Sequence, residues 1–430
     1  MISTEIDALV RVQVAANEPG IAVALLKENR VIHCQGYGLA NLEWELPVTP
    51  RTVFGLGSLT KPFTSMAIML LEQQGKLHLD APIQTYLPDY PATQHEITLM
   101  HLLTHTSGIP NFVTHPDFWA KHVAVTTSLD EVVALFKDLP LEFEPGTNYS
   151  YCNSGYVLLG RILEKLTGMS YAEAIRQFIF EPLGMRHSHY LSPEAIIPSR
   201  AGGYEQTEEG YQHARTITAA VIYAAGALGS TLEDLQIWDA ALREGRLLDH
   251  ATLQRIYRPL ELIDGHRENY GLGWGLGQYR HHPYVCHAGG VPGFSAFFGR
   301  FPEDDITIIV LSNRAGFDCS GLARKISDLA LDLPAPVRSS IPYDPEAQKK
   351  MLGTYSSVHG TVQVEAKKQL LYLNGRKSYA FAPMSETSFY CPDDKDMEAH
   401  FENPDADGNY THLRVIQPFF WFTAERKESE

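Results

Sequence analysis

Residues 55–75, which read GLGSLTKPFTSMAIMLLEQQG, join a glycine-rich turn to a segment with helical periodicity. Pro62 lies where the first turn of a helix tolerates a residue without an N–H group, and Gly75 is a typical C-terminal stop. The pattern predicts a helix over residues 58–74 with one apolar side. The residues of that apolar stripe are Phe63, Met66, Ala67, Leu70 and Leu71.

The first turn of this predicted helix carries Ser58 and, three residues later, Lys61. Residues three apart share a helix face, so the lysine amine can reach the serine Oγ. A serine hydroxyl is a poor nucleophile until a base takes its proton, and lysine is such a base only when burial or a nearby charge lowers its pKa. The S-x-x-K spacing arises by chance about once in a few hundred residues, but here it occurs once and opens a helix. Ser58 is therefore a candidate nucleophile, although the tetrapeptide by itself is weak evidence.

A second candidate segment covers residues 149–156, YSYCNSGY. A lysine ammonium stabilises a neighbouring phenolate, so Tyr151 is a candidate general base near neutral pH. The amide of Asn153 can face a substrate carbonyl or the lysine. The alternative is an aromatic loop that packs on a helix, and this is the preferred interpretation for Tyr149 and Tyr156.

A third segment, His287-Ala288-Gly289-Gly290, follows a short apolar stretch. Small residues at a strand edge let a substrate lie against the backbone as an added strand. They also leave a backbone N–H free to stabilise an oxyanion. Taken alone, the segment is better explained as a glycine-rich turn between two strands.

In this order, the three motifs resemble the serine β-lactamase-like and penicillin-binding-protein-like superfamily. Within it, the class C β-lactamase-related branch, also called peptidase S12, is the most similar. Four further segments support the resemblance: residues 102–108 (LLTHTSG), 182–185 (PLGM), 225–231 (AGALGST) and 289–313. The likeness covers roughly residues 6–333.

The resemblance implies a role for each matching residue. Ser58 is expected to be acylated, and Lys61 and Tyr151 are expected to share the general-base and general-acid work. The backbone N–H groups of Ser58 and Gly290 are expected to form the oxyanion hole. The residues expected to bind the substrate are Asn153, His287, Ala288 and Gly289.

His287 replaces the lysine of the K-T-G motif found in most β-lactamases. A neutral imidazole holds a substrate carboxylate less firmly than an ammonium group does. The resulting H-x-G form resembles that of some D-aminopeptidases and esterases, which implies an esterase or D-amino-acid-specific peptidase with at most weak β-lactamase activity. Two alternatives stay open: an acyl transferase or peptide cyclase, and a β-lactam- or peptide-binding module without turnover.

The chain-wide pattern predicts two domains. Residues 20–38 form a candidate hairpin, residues 97–247 are helix-rich, and strand patterns recur at 284–311. The resemblance implies an α/β fold over residues 1–333, in which helices flank an antiparallel sheet and a helical subdomain is inserted. Residues 334–346 are a predicted linker. Residues 347–430 have an all-β pattern and resemble the lipocalin-like β-barrel of related enzymes.

The charge and composition of the chain limit the classes of molecule that it can bind. A formal net charge of −16 over 430 residues disfavours nucleic acid, and no stretch is apolar and long enough to span a membrane. Small-molecule ester, peptide or amide substrates are expected, and a homo-oligomer is compatible with the chain. The five scattered cysteines and the absence of a signal-peptide pattern in residues 1–20 favour a cytoplasmic location.

No metal and no organic cofactor are expected. His101 and His105 have the spacing of two ligands on one helix face, but the H-E-x-x-H pattern is absent.

Overall fold

The computed structural model describes residues 2–116, 118–119, 128–265, 267–357, 360–375, 378–417 and 419–427. The chain divides into two compact units, Met1–Leu331 and Asp332–Glu430.

The first unit combines helices with several sheets. Its helices are α1 (Ile2–Arg11), α2 (Lys61–Gln73), α3 (Leu99–Leu103), α4 (Leu129–Ala134), α5 (Asn153–Thr167), α6 (Tyr171–Ile175), α7 (Glu181–Leu183), α8 (Ala219–Gly226), α9 (Leu232–Glu244), α10 (His250–Ile256) and α11 (Cys319–Ala330). Its strands are β1 (Ile21–Lys27), β2 (Arg30–Tyr37), β3 (Leu39–Asn41), β4 (Leu46–Pro47), β5 (Phe54–Gly55), β6 (His189–Tyr190), β7 (Tyr204–Thr207), β8 (Gly210–His213), β9 (Leu228–Ser230), β10 (Leu260–Glu261), β11 (Arg267–Glu268), β12 (Gly275–Tyr279), β13 (His282–Val291), β14 (Phe294–Phe301) and β15 (Ile306–Ser312).

The main sheet has the order β12-β13-β14-β15-β1-β2, and every neighbouring pair is antiparallel. Its strands come from both ends of the unit, and α2 to α10 lie between them in the chain. Strands β1 and β15 are almost wholly buried, which explains their continuous apolar sequences. The predicted α/β fold, with an antiparallel sheet and an inserted helical region, is confirmed.

The predicted hairpin of residues 20–38 forms β1 and β2, whose turn consists of Glu28 and Asn29. Both turn residues have positive φ, at 52° and 57°. Two consecutive residues of this kind match the right-handed twist of the strands they join, as in a type I′ turn.

The helix predicted over residues 58–74 begins as a 3₁₀ turn, Gly57–Thr60, and continues as α2. Gly75 follows with φ 68°, the left-handed conformation of a helix stop. The sequence pattern predicts burial of one side, but Lys61 to Leu71 are buried all round. The reason is that α5, α6 and α8 pack around the helix.

The second unit is a β-barrel, as predicted. Its elements are α12 (Pro345–Lys349), β16 (Gly353–Ser357), β17 (Gly360–Lys367), β18 (Leu370–Asn374), β19 (Ser378–Pro383), β20 (Ser388–Tyr390), β21 (Glu398–Pro404), β22 (Tyr410–Gln417) and β23 (Phe420–Arg426). Strands β16 to β23 close in chain order, and large side chains such as Tyr355, Phe389 and Phe401 fill the interior. The last residues of the predicted linker are helical in α12, because Asp344 caps it.

Candidate active site

The three sequence motifs meet around the amine of Lys61. Ser58 lies in the 3₁₀ turn before α2, and Asn153 is the first residue of α5. The Lys61 Nζ is 3.2 Å from Ser58 Oγ and 2.8 Å from Asn153 Oδ1. His287 lies farther along, in β13, and its ring centroid is 6.4 Å from that of Tyr151.

Lys61 is 0% exposed, and burial lowers its pKa to about 7. Besides Ser58, its amine faces Asn153 Oδ1 and, at 3.0 Å, the carbonyl oxygen of Ala225. Both oxygens can only accept hydrogen bonds. A neutral amine therefore uses its two N–H groups on these oxygens, which leaves its lone pair for the Ser58 hydroxyl.

Ser58 is the point at which this buried region reaches the surface. Within residues 52–71, all of which the structure describes, every residue is buried except Ser58, which is half-buried. The turn that carries it lies against β13: a Cβ added to Gly57 would come 2.7 Å from the Gly290 nitrogen. The two backbones approach this closely because Gly57 has no side chain.

Tyr151 is held in the neutral phenol form at rest. Burial raises its pKa above the usual value, and a hydrogen bond with Ser58 offsets only part of the rise. The Lys61 Nζ is 4.7 Å from the centroid of the tyrosine ring. The sequence suggests a phenolate beside an ammonium, but with a pKa of about 7 the buried lysine is only partly charged near neutral pH, and burial keeps the pKa of Tyr151 above its usual value.

Asn111 fixes the segment that carries Tyr151 and Asn153, and the sequence interpretation missed it. Its Nδ2 donates to the Tyr151 carbonyl at 3.2 Å. Its Oδ1 accepts from the Asn153 backbone N–H at 3.2 Å and from the Asn153 Nδ2 at 3.3 Å. This pairing turns the Asn153 Oδ1 towards Lys61. The only sequence signal was the position of Asn111, directly after Pro110 and three residues beyond the end of the LLTHTSG segment.

His287 is buried, neutral and paired through both ring nitrogens. Its Nδ1 lies 2.6 Å from the Ala288 carbonyl oxygen, which can only accept, so Nδ1 carries the proton. Its Nε2 therefore accepts from the Tyr270 hydroxyl at 3.0 Å. Burial and the charge of Lys61 lower the His287 pKa to about 3. Tyr270 is a second residue that the sequence interpretation missed.

Strand β13 presents an open edge beside Ser58. Strand β12 pairs with it only as far as Cys286, whereas β14 pairs with it to Val291. Beyond Cys286 that edge carries no strand in the described part of the chain. Ala288 and Gly290 are exposed, and a Cβ on Gly290 would meet nothing within 4 Å. There is therefore room for a substrate along this edge.

Within the described residues, no group of three or more His, Cys, Asp or Glu side chains could hold a metal ion. His101 instead forms a capping box with Thr98, and the His105 Nδ1 accepts from the Cys152 N–H. In the same residues, no helix is long and apolar enough to cross a membrane.

Comparison with known proteins gives consistent matches. The family model described as Beta-lactamase matches residues 6–331. Penicillin-binding protein 4* of Bacillus subtilis is 31% identical over 391 residues, which cover 84% of this chain and 85% of that protein. A D-aminopeptidase of Gluconobacter oxydans is 28% identical over 354 residues, or 78% of this chain and 63% of that protein. The octameric penicillin-binding protein homologue from Pyrococcus abyssi matches with a TM-score of 0.69 and 27% identity, covering 99% of this chain and 100% of the other.

Proposed function

The chain belongs to the beta-lactamase family and is a serine hydrolase of amides or esters, and we propose that it works through an acyl intermediate on Ser58. The observation that carries the proposal is the arrangement around Lys61. When the amine is neutral, two obligate acceptors take its N–H groups, and its lone pair remains for the Ser58 hydroxyl, whose Oγ lies 3.2 Å from Nζ. This is the geometry of a base poised to activate a nucleophile.

Acylation begins when Lys61 takes the Ser58 proton as Oγ attacks the substrate carbonyl carbon. The backbone N–H groups of Ser58 and Gly290 stabilise the oxyanion. The intermediate collapses as the Tyr151 phenol gives its proton to the leaving nitrogen or oxygen. This step ends with an acyl-Ser58, a Lys61 ammonium and a Tyr151 phenolate, and the two charges now stabilise each other.

Deacylation runs through the same groups in reverse. The Tyr151 phenolate takes a proton from water as the water oxygen attacks the acyl carbonyl. The new tetrahedral intermediate breaks its bond to Ser58 Oγ, and the Lys61 ammonium returns the proton to that oxygen. The product acid leaves, and all three side chains regain their resting protonation states.

For the substrate we propose small esters or D-amino acid amides and peptides, with at most weak β-lactamase activity. The similarity to a D-aminopeptidase supports the D configuration. The neutral, doubly paired His287 supports weak binding of a β-lactam carboxylate, because it offers neither a charge nor a free donor.

The test is intact-protein mass spectrometry after exposure to a fluorophosphonate. We expect one adduct on the wild type and none on Ser58→Ala. Ser65→Ala is the matched control, since Ser65 lies on α2 but its hydroxyl donates to the buried Leu272 carbonyl. Labelling that survives in Ser58→Ala would overturn the proposal.

Turnover separates the competing activities. A D-amino acid amide hydrolysed at steady state supports the hydrolase. Aminolysis products formed with added amines would instead indicate an acyl transferase. A penicillin adduct that persists, without turnover of any ester or amide, would indicate a binding module.

We also propose a homo-oligomer and a cytoplasmic location. The octameric Pyrococcus abyssi homologue supports the first, and its coverage extends over nearly the whole chain. Light scattering on the purified protein tests the oligomer, and a monomer mass at micromolar concentration would refute it.

The cytoplasmic location is supported by the cysteines, which are all free thiols: Cys34, Cys152, Cys286, Cys319 and Cys391. Cell fractionation tests the location.

A further inference from the structure

His105 lies two residues after α3, is 1% exposed and makes no contact that the proposed reaction uses directly. We propose that His105 positions Tyr151 for proton transfer by holding the backbone on both sides of it. The inference rests on the proposed function, because it assumes that Tyr151 protonates the leaving group.

Three contacts connect His105 to the Tyr151 segment. The Ser150 N–H donates to the His105 carbonyl oxygen at 2.9 Å. The Cys152 N–H donates to the His105 Nδ1 at 3.0 Å. The imidazole also packs on the Tyr151 ring, with 4.4 Å between the centroids. One residue thus binds the peptide groups before and after Tyr151 and supports its ring.

The hydrogen bond to Cys152 requires a neutral imidazole. An N–H donor needs a lone pair on Nδ1, so the ring proton is on Nε2. Burial and the nearby charge of Lys61 hold the His105 pKa well below its usual value, which keeps the required form across the physiological range. His287, the other titratable imidazole near it, is also neutral.

The rest of the ring has no other polar role. The Nε2 atom is buried and has no hydrogen-bond partner among the described residues. Aromatic rings surround it, with centroid distances to Tyr149, Tyr156 and Tyr270 of 6.0, 5.2 and 4.8 Å. A buried, unpaired donor costs stability. The fold tolerates that cost while the other nitrogen supports the residue next to Tyr151.

The position of Tyr151 in the chain explains why it needs such support. Helix α5 begins at Asn153, so Tyr151 lies in irregular backbone without helical hydrogen bonds. Asn111 holds its carbonyl group, and His105 holds the N–H groups on either side. Because proton transfer depends on sub-ångström placement, loosening this segment should impair the acid step more than nucleophilic attack.

The experiment compares His105→Asn with His105→Gly. His105 has φ 62°, a conformation that Asn and Gly adopt more readily than most residues do. Both variants lack the ring, but only Asn places an acceptor, its Oδ1, at the Nδ1 position. The substrates are an amide, whose leaving group needs a proton, and the matching p-nitrophenyl ester, whose leaving group does not.

We expect His105→Gly to lower kcat for the amide by about 30- to 100-fold, with KM changed less than threefold. The ester is followed by its pre-steady-state burst of p-nitrophenol, which reports acylation alone, and the rate of this burst should change less than fivefold. The kcat of His105→Asn for the amide should be at least tenfold higher than that of His105→Gly. In a Tyr151→Phe background, His105→Gly should cause no further loss in the amide-to-ester ratio.

Equal losses on amide and ester would overturn the proposal and leave His105 a purely structural residue. An Asn variant as impaired as the Gly variant would also overturn it, as would a further loss in the Tyr151→Phe background. Fluorophosphonate labelling distinguishes this failure from failure of the proposed function. Fluoride leaves without a proton, so both His105 variants should still be labelled on Ser58, whereas loss of Ser58 as the labelled residue would refute the proposed function itself.

Discussion

At the scale of single residues, the proposed mechanism makes the reactivity of Ser58 depend on the protonation state of Lys61. Its amine is a base only when neutral, and its pKa is about 7. The rate of acylation should therefore rise about tenfold per pH unit below 7 and level off above it. The two site histidines stay neutral over this range, since the pKa of each lies well below its usual value. The check is the rate of fluorophosphonate labelling from pH 5.5 to 8.5.

Lys61→Arg is the control for this pH profile, because a guanidinium stays charged throughout. It should label at least 100-fold more slowly, with no rising limb near neutrality. A wild-type profile that is flat or falls with pH would contradict the assignment of Lys61 as the base.

The same buried amine should reduce the stability of the fold. Its pKa falls from 10.5 in the unfolded chain to about 7 in the folded one. The unfolded state therefore binds more protons between these values, so the free energy of unfolding should rise with pH from about 7 to 10.5. Below about pH 7 the folded state is destabilised by the full free-energy cost of burying the charged amine, at most about 5 kcal/mol.

Lys61→Met should therefore stabilise the protein by about 1–3 kcal/mol at pH 7. The gain should shrink towards pH 10, as urea unfolding at the two pH values can show. Lys137→Met is the control, because Lys137 is partly exposed and paired with Asp138, and it should change stability by less than about 0.5 kcal/mol. A Lys61→Met variant that is less stable at pH 7 would refute the cost assigned to burial.

His287 should act as a neutral hydrogen-bonding residue. Gln can still accept from the Tyr270 hydroxyl, so His287→Gln should keep kcat/KM for an ester within about tenfold. His287→Leu leaves that hydroxyl without its acceptor and should cost about 1–3 kcal/mol of stability. Ester kinetics and urea unfolding measure the two effects. A Gln variant that is inactive although folded would show that the imidazole itself is needed.

At the scale of elements, local patterns predicted the structure well where the decisive contacts were local. The hairpin of β1 and β2 and the stop of α2 at Gly75 follow from turn chemistry and periodicity. The kink inside α8 does not: Tyr223 has φ 35° and ψ −128° there, an unusual conformation for a tyrosine. Two residues later, Ala225 turns its carbonyl to Lys61. Only tertiary packing supports that kink, so no local signal could predict it.

Alanine substitutions at two adjacent glycines of β13 test its contact with the turn that carries Ser58. A Cβ on Gly289 would come 1.9 Å from the Leu56 carbonyl oxygen, whereas one on Gly290 would meet nothing within 4 Å. Gly289→Ala should destabilise the protein by about 1–3 kcal/mol and lower labelling of Ser58, because the strand must move away from the turn. Gly290→Ala should change stability by less than about 0.5 kcal/mol. Urea unfolding compares them, and equal costs would refute the close approach.

At the scale of the whole molecule, the motifs named residues that the fold brings together around Lys61, but they did not predict how these residues are held. Lys61 and Asn153 are 92 residues apart, and the resemblance of the ordered motifs, not periodicity, brought them together. Asn111 and Tyr270 belong to no motif with an evident chemical role. Their importance depends on long-range contacts with Asn153 and His287, which single-sequence patterns do not report.

The charge of the whole chain and the neutrality of the site should act together on substrate choice. The net charge is −16, so an anionic substrate approaches a repulsive field, and His287 offers no cation to receive a carboxylate. We expect kcat/KM for a D-amino acid amide to exceed that for a dipeptide with the same D residue and a free carboxylate by at least tenfold in 20 mM salt. Raising the salt to 0.5 M should reduce this difference in kcat/KM, because salt screens the long-range repulsion by the net charge. It should not abolish the difference, because the carboxylate still lacks a partner at short range. Equal kcat/KM values in low salt would show that a cation outside the three motifs binds the carboxylate. A difference that disappears in high salt would show that only the long-range repulsion separates the two substrates.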